Sequence, residues 1–331
     1  MSKVTIKDLA KMLSISVSTV SRALSDHPDI NEDTRQRVKA VASRFNYMPN
    51  LHARYFRKKN TKMIALILPG FNRFFVPNMI EGIQKVIDEN DYRLIIFQTA
   101  NDPVLEADII KYCLSWVVEG VLISLADNTS SLSHLDILKE SGIPVVILDK
   151  ILKSDVYPTV AIDDQLAAAN ATRALIGAGK KNLLGIFAHE NVSITKERLK
   201  GFRNELEKHF LPFSEQNYLF INDISIGRQL LESKIHSNAF DGVLFVTDEL
   251  LVHCYHSILL YEKKYQQKIG VVSISDGTSP YFLTPNVTHI FHSGFEVGKI
   301  ACNLLMEHIA DPNLNIRQLE IDTKLVRLGS E

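Results

Sequence analysis

Two short helices, each with its own cap and with only two residues between them, constrain this 331-residue chain more than any other stretch. Thr5-Ile6-Lys7-Asp8 has the capping-box spacing with Asp8 in the acidic role, and Ile6, Leu9, Ala10 and Leu13 form an apolar stripe. A first helix therefore ends near Leu13. Ser14-Ile15 follow, and Ser16 can cap a second helix in which Val20, Ala23 and Leu24 recur at the i, i+3, i+4 spacing. So tight a connection defines a helix-turn-helix unit. After the turn at Ser25-Asp26-His27-Pro28, Asn31 can cap a third helix through about Asn46, with Val38, Val41, Ala42 and Phe45 on its inner side. Three helices sharing one small core leave Val17, Ser18, Ser21 and Arg22 outward on the second. An apolar side chain, two hydroxyls and a guanidinium can reach a thymine methyl, phosphates and a guanine edge. Alone, the second helix reads as an ordinary amphipathic surface helix; its neighbours make the three together a DNA-reading headpiece.

Charge points the same way. Residues 1–62 carry 13 Lys plus Arg against 5 Asp plus Glu, whereas the remainder carries 24 against 33, so a whole-chain balance of −1 conceals a strongly basic first fifth. The chain length calls for two or three domains. Cys113, Cys254 and Cys302 are scattered without CxxC pairing, which reads as reduced, buried thiols. Met1-Ser2-Lys3-Val4 leads into a capped helix with no apolar signal region, and no apolar run approaches membrane-spanning length, so a cytoplasmic location away from membranes is expected.

Val4-Thr5-Ile6-Lys7-Asp8-Leu9-Ala10, then Val17-Ser18-Thr19-Val20-Ser21-Arg22-Ala23-Leu24, then Asn46-Tyr47-Met48-Pro49-Asn50 resembles the LacI/GalR family of bacterial transcription regulators, and the spacing of the three blocks fits as well. The resemblance runs from Val4 to about Leu328, strongest in the headpiece and looser beyond it. It implies a headpiece over residues 1–49, a hinge over 50–62 and an effector-binding and dimerisation core over 63–331. In the family the hinge folds on operator binding, pairs with its dimer mate in the minor groove and wedges an apolar side chain into a base step. The basic, aromatic linker Asn50 to Lys62 suits that role better than an inert tether, although Arg57-Lys58-Lys59 also reads as a solvated charge run. The expected DNA contacts are Thr5, Val17, Ser18, Thr19, Ser21 and Arg22 in the headpiece, with Asn50, His52, Ala53 and Phe56 in the linker. Phe56 stands where the family usually has leucine, and a phenyl ring can still unstack a step.

From Met63 the pattern becomes alternating strands and helices. Strands are expected at 63–68, 92–97, 120–124 and 145–149, then 183–187, near 218–221, 242–246, 269–274 and 287–291. Helices are expected at 78–89, 104–118, just before Gly142, 165–177, 196–208, near 227–234 and over 248–260. Two tandem doubly wound units leave a cleft between the carboxyl ends of their strands. The family has a type I periplasmic-binding-protein core whose chain crosses between subdomains three times, here near Ile162, His292 and Thr323. One subdomain then comprises about 63–161 and 292–322, the other 162–291 and 323–331.

Several residues fall at strand ends facing that cleft. Phe74 and Phe75, in the loop after the first strand, could stack on a sugar or base or pack in the core. Asp149 matches a family effector position, or is a surface acid. Glu197-Arg198-Leu199-Lys200-Gly201-Phe202 matches the family's Arg-Leu-x-Gly-Phe block, whose arginine clamps effector oxygens, and bidentate donors suit carboxylate or phosphate. Ser193 and Thr195 in the preceding loop are further candidates. Thr247 and Asp248 either face the cleft or, for Asp248, cap a helix. Where the family has Asp-Asp, this chain has Ser275-Asp276, which weakens the case for a neutral, unmodified hexose. The expected effector is a sugar, a sugar acid or a phosphorylated derivative.

Catalytic alternatives lack support. Ala174 to Lys181 has neither the first glycine nor the Ser or Thr of a phosphate loop and ends a helix instead of opening one. His253 and His256 have no evident third ligand, and Asp163-Asp164 reads as a helix start. No metal, cofactor or catalytic residue is expected. A sugar-binding module or sugar-processing enzyme using the core alone is the rival class, and it leaves the basic first 62 residues without a task. The reading is a ligand-gated, DNA-binding repressor, a homodimer on a pseudo-palindromic operator. Tetramers in the family carry a leucine-heptad tail that Asp322 to Glu331 lacks.

Overall fold

A computed structural model of the chain describes residues 4–45, 47, 61–152, 154–237 and 239–331. It falls into two units, one up to Thr61 and one from Lys62 to the end.

The described residues of the first unit form three helices. In α1 (Ile6–Leu13) the Thr5 hydroxyl accepts from Asp8 N at 3.3 Å while the Asp8 carboxylate accepts from Thr5 N at 2.9 Å, a reciprocal capping box. Ser16 caps α2 (Val17–Leu24) by accepting from Thr19 N at 3.0 Å, and Asn31 caps α3 (Glu32–Arg44) through Thr34 N at 2.8 Å. Leu9, Val20, Ala23 and Val38 are fully buried between them. Phe45 departs from its expected inward place. The helix closes at Arg44, so Phe45 falls on the cap, is 41 % exposed and lies under the Arg44 guanidinium, while Tyr47 packs against the core.

The second unit holds two six-stranded sheets. The first has the order β11-β5-β4-β3-β1-β2, built from β1 (Met63–Leu68), β2 (Arg93–Gln98), β3 (Gly120–Ile123), β4 (Val145–Leu148), β5 (Thr159–Ile162) and β11 (Gln318–Ile321). The second has the order β12-β10-β9-β8-β6-β7, from β6 (Leu183–Phe187), β7 (Tyr218–Phe220), β8 (Gly242–Phe245), β9 (Gly270–Ser275), β10 (Thr288–Phe291) and β12 (Lys324–Val326). Among the described residues every pairing is parallel except that of β12 with β10. Parallel strands covered on both faces explain the unbroken apolar runs, such as Met63–Leu68. The chain passes from the first sheet to the second after Ile162, returns after Phe291 and leaves again between Ile321 and Lys324.

Strands β5, β11 and β12 and the long helix from Gly294 to Ala310 are additions to the elements read from the sequence. That helix is apolar on most sides because it packs both on the first sheet and on α4 (Phe75–Glu89), so its periodicity is faint. The approach of the two helices needs glycine: a Cβ on Gly82 would sit 2.0 Å from the Phe295 carbonyl oxygen. Helix α4 also begins three residues before the expected Asn78, because Pro77 is accommodated in its first turn. Cys113, Cys254 and Cys302 are buried and unpaired. Among the described residues no helix is long and apolar enough to cross a membrane.

Candidate effector cleft and nucleic-acid face

In the headpiece, Val17, Ser18, Ser21 and Arg22 are exposed on α2, and Thr19 is half-buried. The Ser18 and Thr19 hydroxyls lie 2.7 and 2.8 Å from the Ser16 hydroxyl, and the Thr5 hydroxyl donates to Asp8 at 2.6 Å. Those three are thus tied to helix caps. Arg22 is exposed and carries no ion pair among the described residues. Lys7 and Lys11 of α1 line a shallow groove with Ser14, Ile15, Ser16 and Val17. A groove carrying two lysines beside a polar helix face suits a phosphate backbone. Asn50, His52, Ala53 and Phe56 lie outside the described residues.

In the core, polar groups converge where strands of the two sheets end. Asp149 follows β4 with φ 61° and accepts from the Ser124 hydroxyl, at the end of β3, at 3.0 Å. It is no surface acid. Enclosure by protein pushes its carboxyl above the ordinary range, although Lys150, Ser124, Arg198 and Arg73 pull the other way. Lys150 itself is held by Asp127.

Arg198 lies on α8 (Ser193–Lys208), which starts three residues before the expected position, so Ser193 and Thr195 belong to its first turn and not to a loop. Thr195 is buried and Ser193 half-buried. Arg198 is also buried: Nε donates to Asp164 at 2.8 Å and Nη1 to the Val246 carbonyl. Asp164 opens α7 (Asp164–Gly177), whose cap is Asp163. Helices α7 and α8 meet closely enough for this pair because Gly201 has no side chain; a Cβ there would stand 2.1 Å from the Gln165 carbonyl oxygen. Burial outweighs the guanidinium, and the Asp164 carboxyl is pushed up to about 6.

A second cluster sits at the start of α10 (Asp248–Tyr265). Thr247 is the cap, accepting from Leu250 N at 3.3 Å, so Asp248 is not. The Asp248 carboxylate is buried and takes the hydroxyls of Ser275, at 2.5 Å, and Ser279, with Asp276 N at 3.2 Å. Burial raises it to about 6 against these donors. Ser275 and Asp276 are thus drawn to Asp248 at the end of β9.

Direct bonds cross the cleft. Asn78 of α4 donates to Asp276 at 2.6 Å, and Phe74 N donates to Glu249 at 3.0 Å, with Arg73 3.9 Å from the same carboxylate. Phe75 is the first residue of α4 rather than a loop residue, and its ring lies 5.1 Å from that of His292. Phe74 immediately precedes the helix and is partly exposed. Arg73, Asn78, Asp164, Glu249 and His292 are among the polar residues that sequence reasoning missed. Only Asp164 carried a local signal, as half of a carboxylate pair at a helix start.

A three-helix headpiece joined to a two-sheet core with a polar interlobe cleft defines the class: a DNA-binding regulator carrying a small-molecule-binding domain. Residues 5–50 match the model described as bacterial regulatory proteins, lacI family, and residues 61–327 match periplasmic binding proteins and sugar binding domain of LacI family. The chain is 26 % identical over 311 residues to catabolite control protein A of Staphylococcus epidermidis, with 94 % of each chain covered. It is 25 % identical over 327 residues to the ribose operon repressor of Haemophilus influenzae, covering 97 % of each. The crystal structure of a LacI-family transcriptional regulator from Silicibacter pomeroyi superposes with a TM-score of 0.82, at 22 % identity and 98 % coverage of both chains. The chain belongs to the LacI family. It is a transcriptional regulator, not an enzyme.

Proposed function

We propose that the protein is a cytoplasmic repressor of carbohydrate-related genes, a homodimer that binds a pseudo-palindromic operator and changes its grip when a sugar, sugar acid or phosphorylated sugar enters the cleft. The carrying observation is the division of α2: Val20 and Ala23 are fully buried, while Val17, Ser21 and Arg22 face solvent on a basic unit. Lys and Arg of residues 1–62 supply sequence-independent affinity, and Val17, Ser18, Ser21 and Arg22 supply discrimination, with Thr5, Thr19 and Asn50 positioning the headpiece. His52, Ala53 and Phe56 are assigned to the minor groove, Phe56 as the wedge.

Two headpieces on one two-fold axis require two half-sites. Dimerisation is supported by Ile96 on the edge strand β2, 37 % exposed, and by Tyr112 and Trp116, 55 and 51 % exposed, large side chains left uncovered on the first subdomain. In the cleft, Arg198 and Asp149 read effector oxygens and hydroxyls, Phe74 and Phe75 supply aromatic surface, and the Thr247, Asp248, Ser275 and Asp276 cluster, with Ser193 and Thr195 beside Arg198, shapes the second wall. Because Asn78 and Phe74 already bond across the cleft, a ligand that alters these contacts shifts the lobes and the spacing of the hinges. The relatives' names, a catabolite control protein and a ribose operon repressor, support the carbohydrate assignment.

Selection of bound fragments from random duplex DNA by the purified full-length protein, repeated with and without sugars, tests this. A two-half-site consensus whose retention changes with at least one sugar is expected. Purely sequence-independent binding would overturn the proposal.

A further inference from the structure

His292 stands at the second crossing between the subdomains, where its backbone N–H donates to the Ser275 carbonyl at 3.0 Å. Its side chain is buried, with the Phe75 ring of the first subdomain 5.1 Å away. Burial, with Arg198 and His289 as neighbouring cations or dipoles, presses its pKa down to about 3, so the imidazole is neutral near pH 7. Among the described residues Nδ1 has no hydrogen-bond partner. A buried polar atom left unmatched costs about 1–3 kcal/mol, so a ligand group reaching it gains a specific advantage.

Asp149 is a second open acceptor. Among the described residues its carboxylate takes one hydrogen bond, from Ser124. The cations of the cleft, by contrast, already have carboxylates beside them: Arg198 donates Nε to Asp164 and Nη1 to the Val246 carbonyl, Lys150 is held by Asp127, and Arg73 lies 3.9 Å from Glu249. An anionic ligand would meet an Arg198 whose charge Asp164 already offsets, and would lie near the Asp149 carboxyl. A hydroxyl both donates and accepts, so it satisfies either tautomer of the neutral imidazole and also the carboxylate.

We infer that His292 reads the effector directly, and that the effector meets His292 and Asp149 with hydroxyl groups, as an uncharged sugar rather than a sugar phosphate or sugar acid. This rests on the reading of the core as a sugar sensor and narrows it. The sequence suggested the opposite bias, through an arginine expected to be free for an anion; in the fold Asp164 offsets that arginine's charge.

Isothermal titration calorimetry on the full-length protein tests the inference, with ribose, glucose, galactose and cellobiose against glucose 6-phosphate and gluconate. The tightest ligand is expected among the uncharged four. His292→Phe, which keeps a ring but removes its nitrogens, should weaken that sugar about tenfold, the loss of one buried hydrogen bond. His292→Gln should recover part of the loss, a rescue that a purely structural role would not give. Melting without sugar establishes that each variant is folded, and the ranking of sugars by the unmodified protein stands whatever the variants do. Tightest binding of glucose 6-phosphate or gluconate overturns the inference and leaves the sensor reading intact, as does an unchanged affinity in folded His292→Phe. Binding of none of the six overturns both.

Discussion

Asn78 and Asp276 share a 2.6 Å hydrogen bond although 198 positions separate them, one on the first helix of the first subdomain and the other at the end of β9 in the second. The bond ties the cleft walls together and is the largest influence opposing the desolvation that raises the Asp276 carboxyl. Asn78→Ala should therefore loosen the interlobe contact. Hydrogen exchange should accelerate at the start of α4 and around residues 274–278 while the sheet centres stay protected; uniform exchange rates would show that the bond does not hold the lobes.

Arg22→Ala should remove operator preference while weak, salt-sensitive binding persists, because the lysines of the headpiece remain. The expected loss is about 1–3 kcal/mol on the preferred sequence and far less on random duplex. Fluorescence anisotropy against both DNAs at two salt concentrations separates the effects, and equal losses on both would remove Arg22 from base reading.

Breaking the Arg198–Asp164 pair has two consequences. Arg198→Ala leaves a buried carboxylate without its cation, a change that typically costs about 3–5 kcal/mol. Lower core stability in denaturant unfolding should accompany any loss of effector response. The double variant Arg198→Leu/Asp164→Leu should recover stability without recovering the response.

Gly201→Ala should act on the same pair from outside it. With the added Cβ 2.1 Å from the Gln165 carbonyl, α8 must shift away from α7, at a cost of about 1–3 kcal/mol or more. A thermal unfolding curve indistinguishable from that of the unmodified protein would mean that the helices are less closely held than the backbone distances require.

Asp248 gives a pH signature with a definite sign. Its folded carboxyl is raised from 3.8 to about 6, so the folded state binds the proton more tightly than the unfolded chain. The resulting stabilisation is complete below about pH 4 and is lost as pH rises through 6. His292, lowered to about 3, contributes in the opposite direction over pH 3 to 6.5, so the clean comparison is with Asp248→Asn. The stability of the unmodified core relative to that variant should fall by roughly 2–3 kcal/mol between pH 4 and 7. A flat difference would place the Asp248 carboxyl near its ordinary value.

Wherever the governing interaction is local, the sequence alone determined the outcome. The capping box of Thr5 and Asp8, the caps at Ser16 and Asn31 and the apolar runs of parallel strands depend on residues a few positions apart, so the helix-turn-helix headpiece and the alternating core were legible without coordinates. Tertiary structure decided the rest. The helix from Gly294 to Ala310 hides its period because two surfaces bury it, and strands as short as Lys324–Val326 exist only because a neighbour pairs with them. Whether Arg198 is free for a ligand or held by Asp164, and whether His292 has a partner, depends on groups brought together from far along the chain. Charge and hydrogen bonding act through space, and only the folded chain fixes those distances.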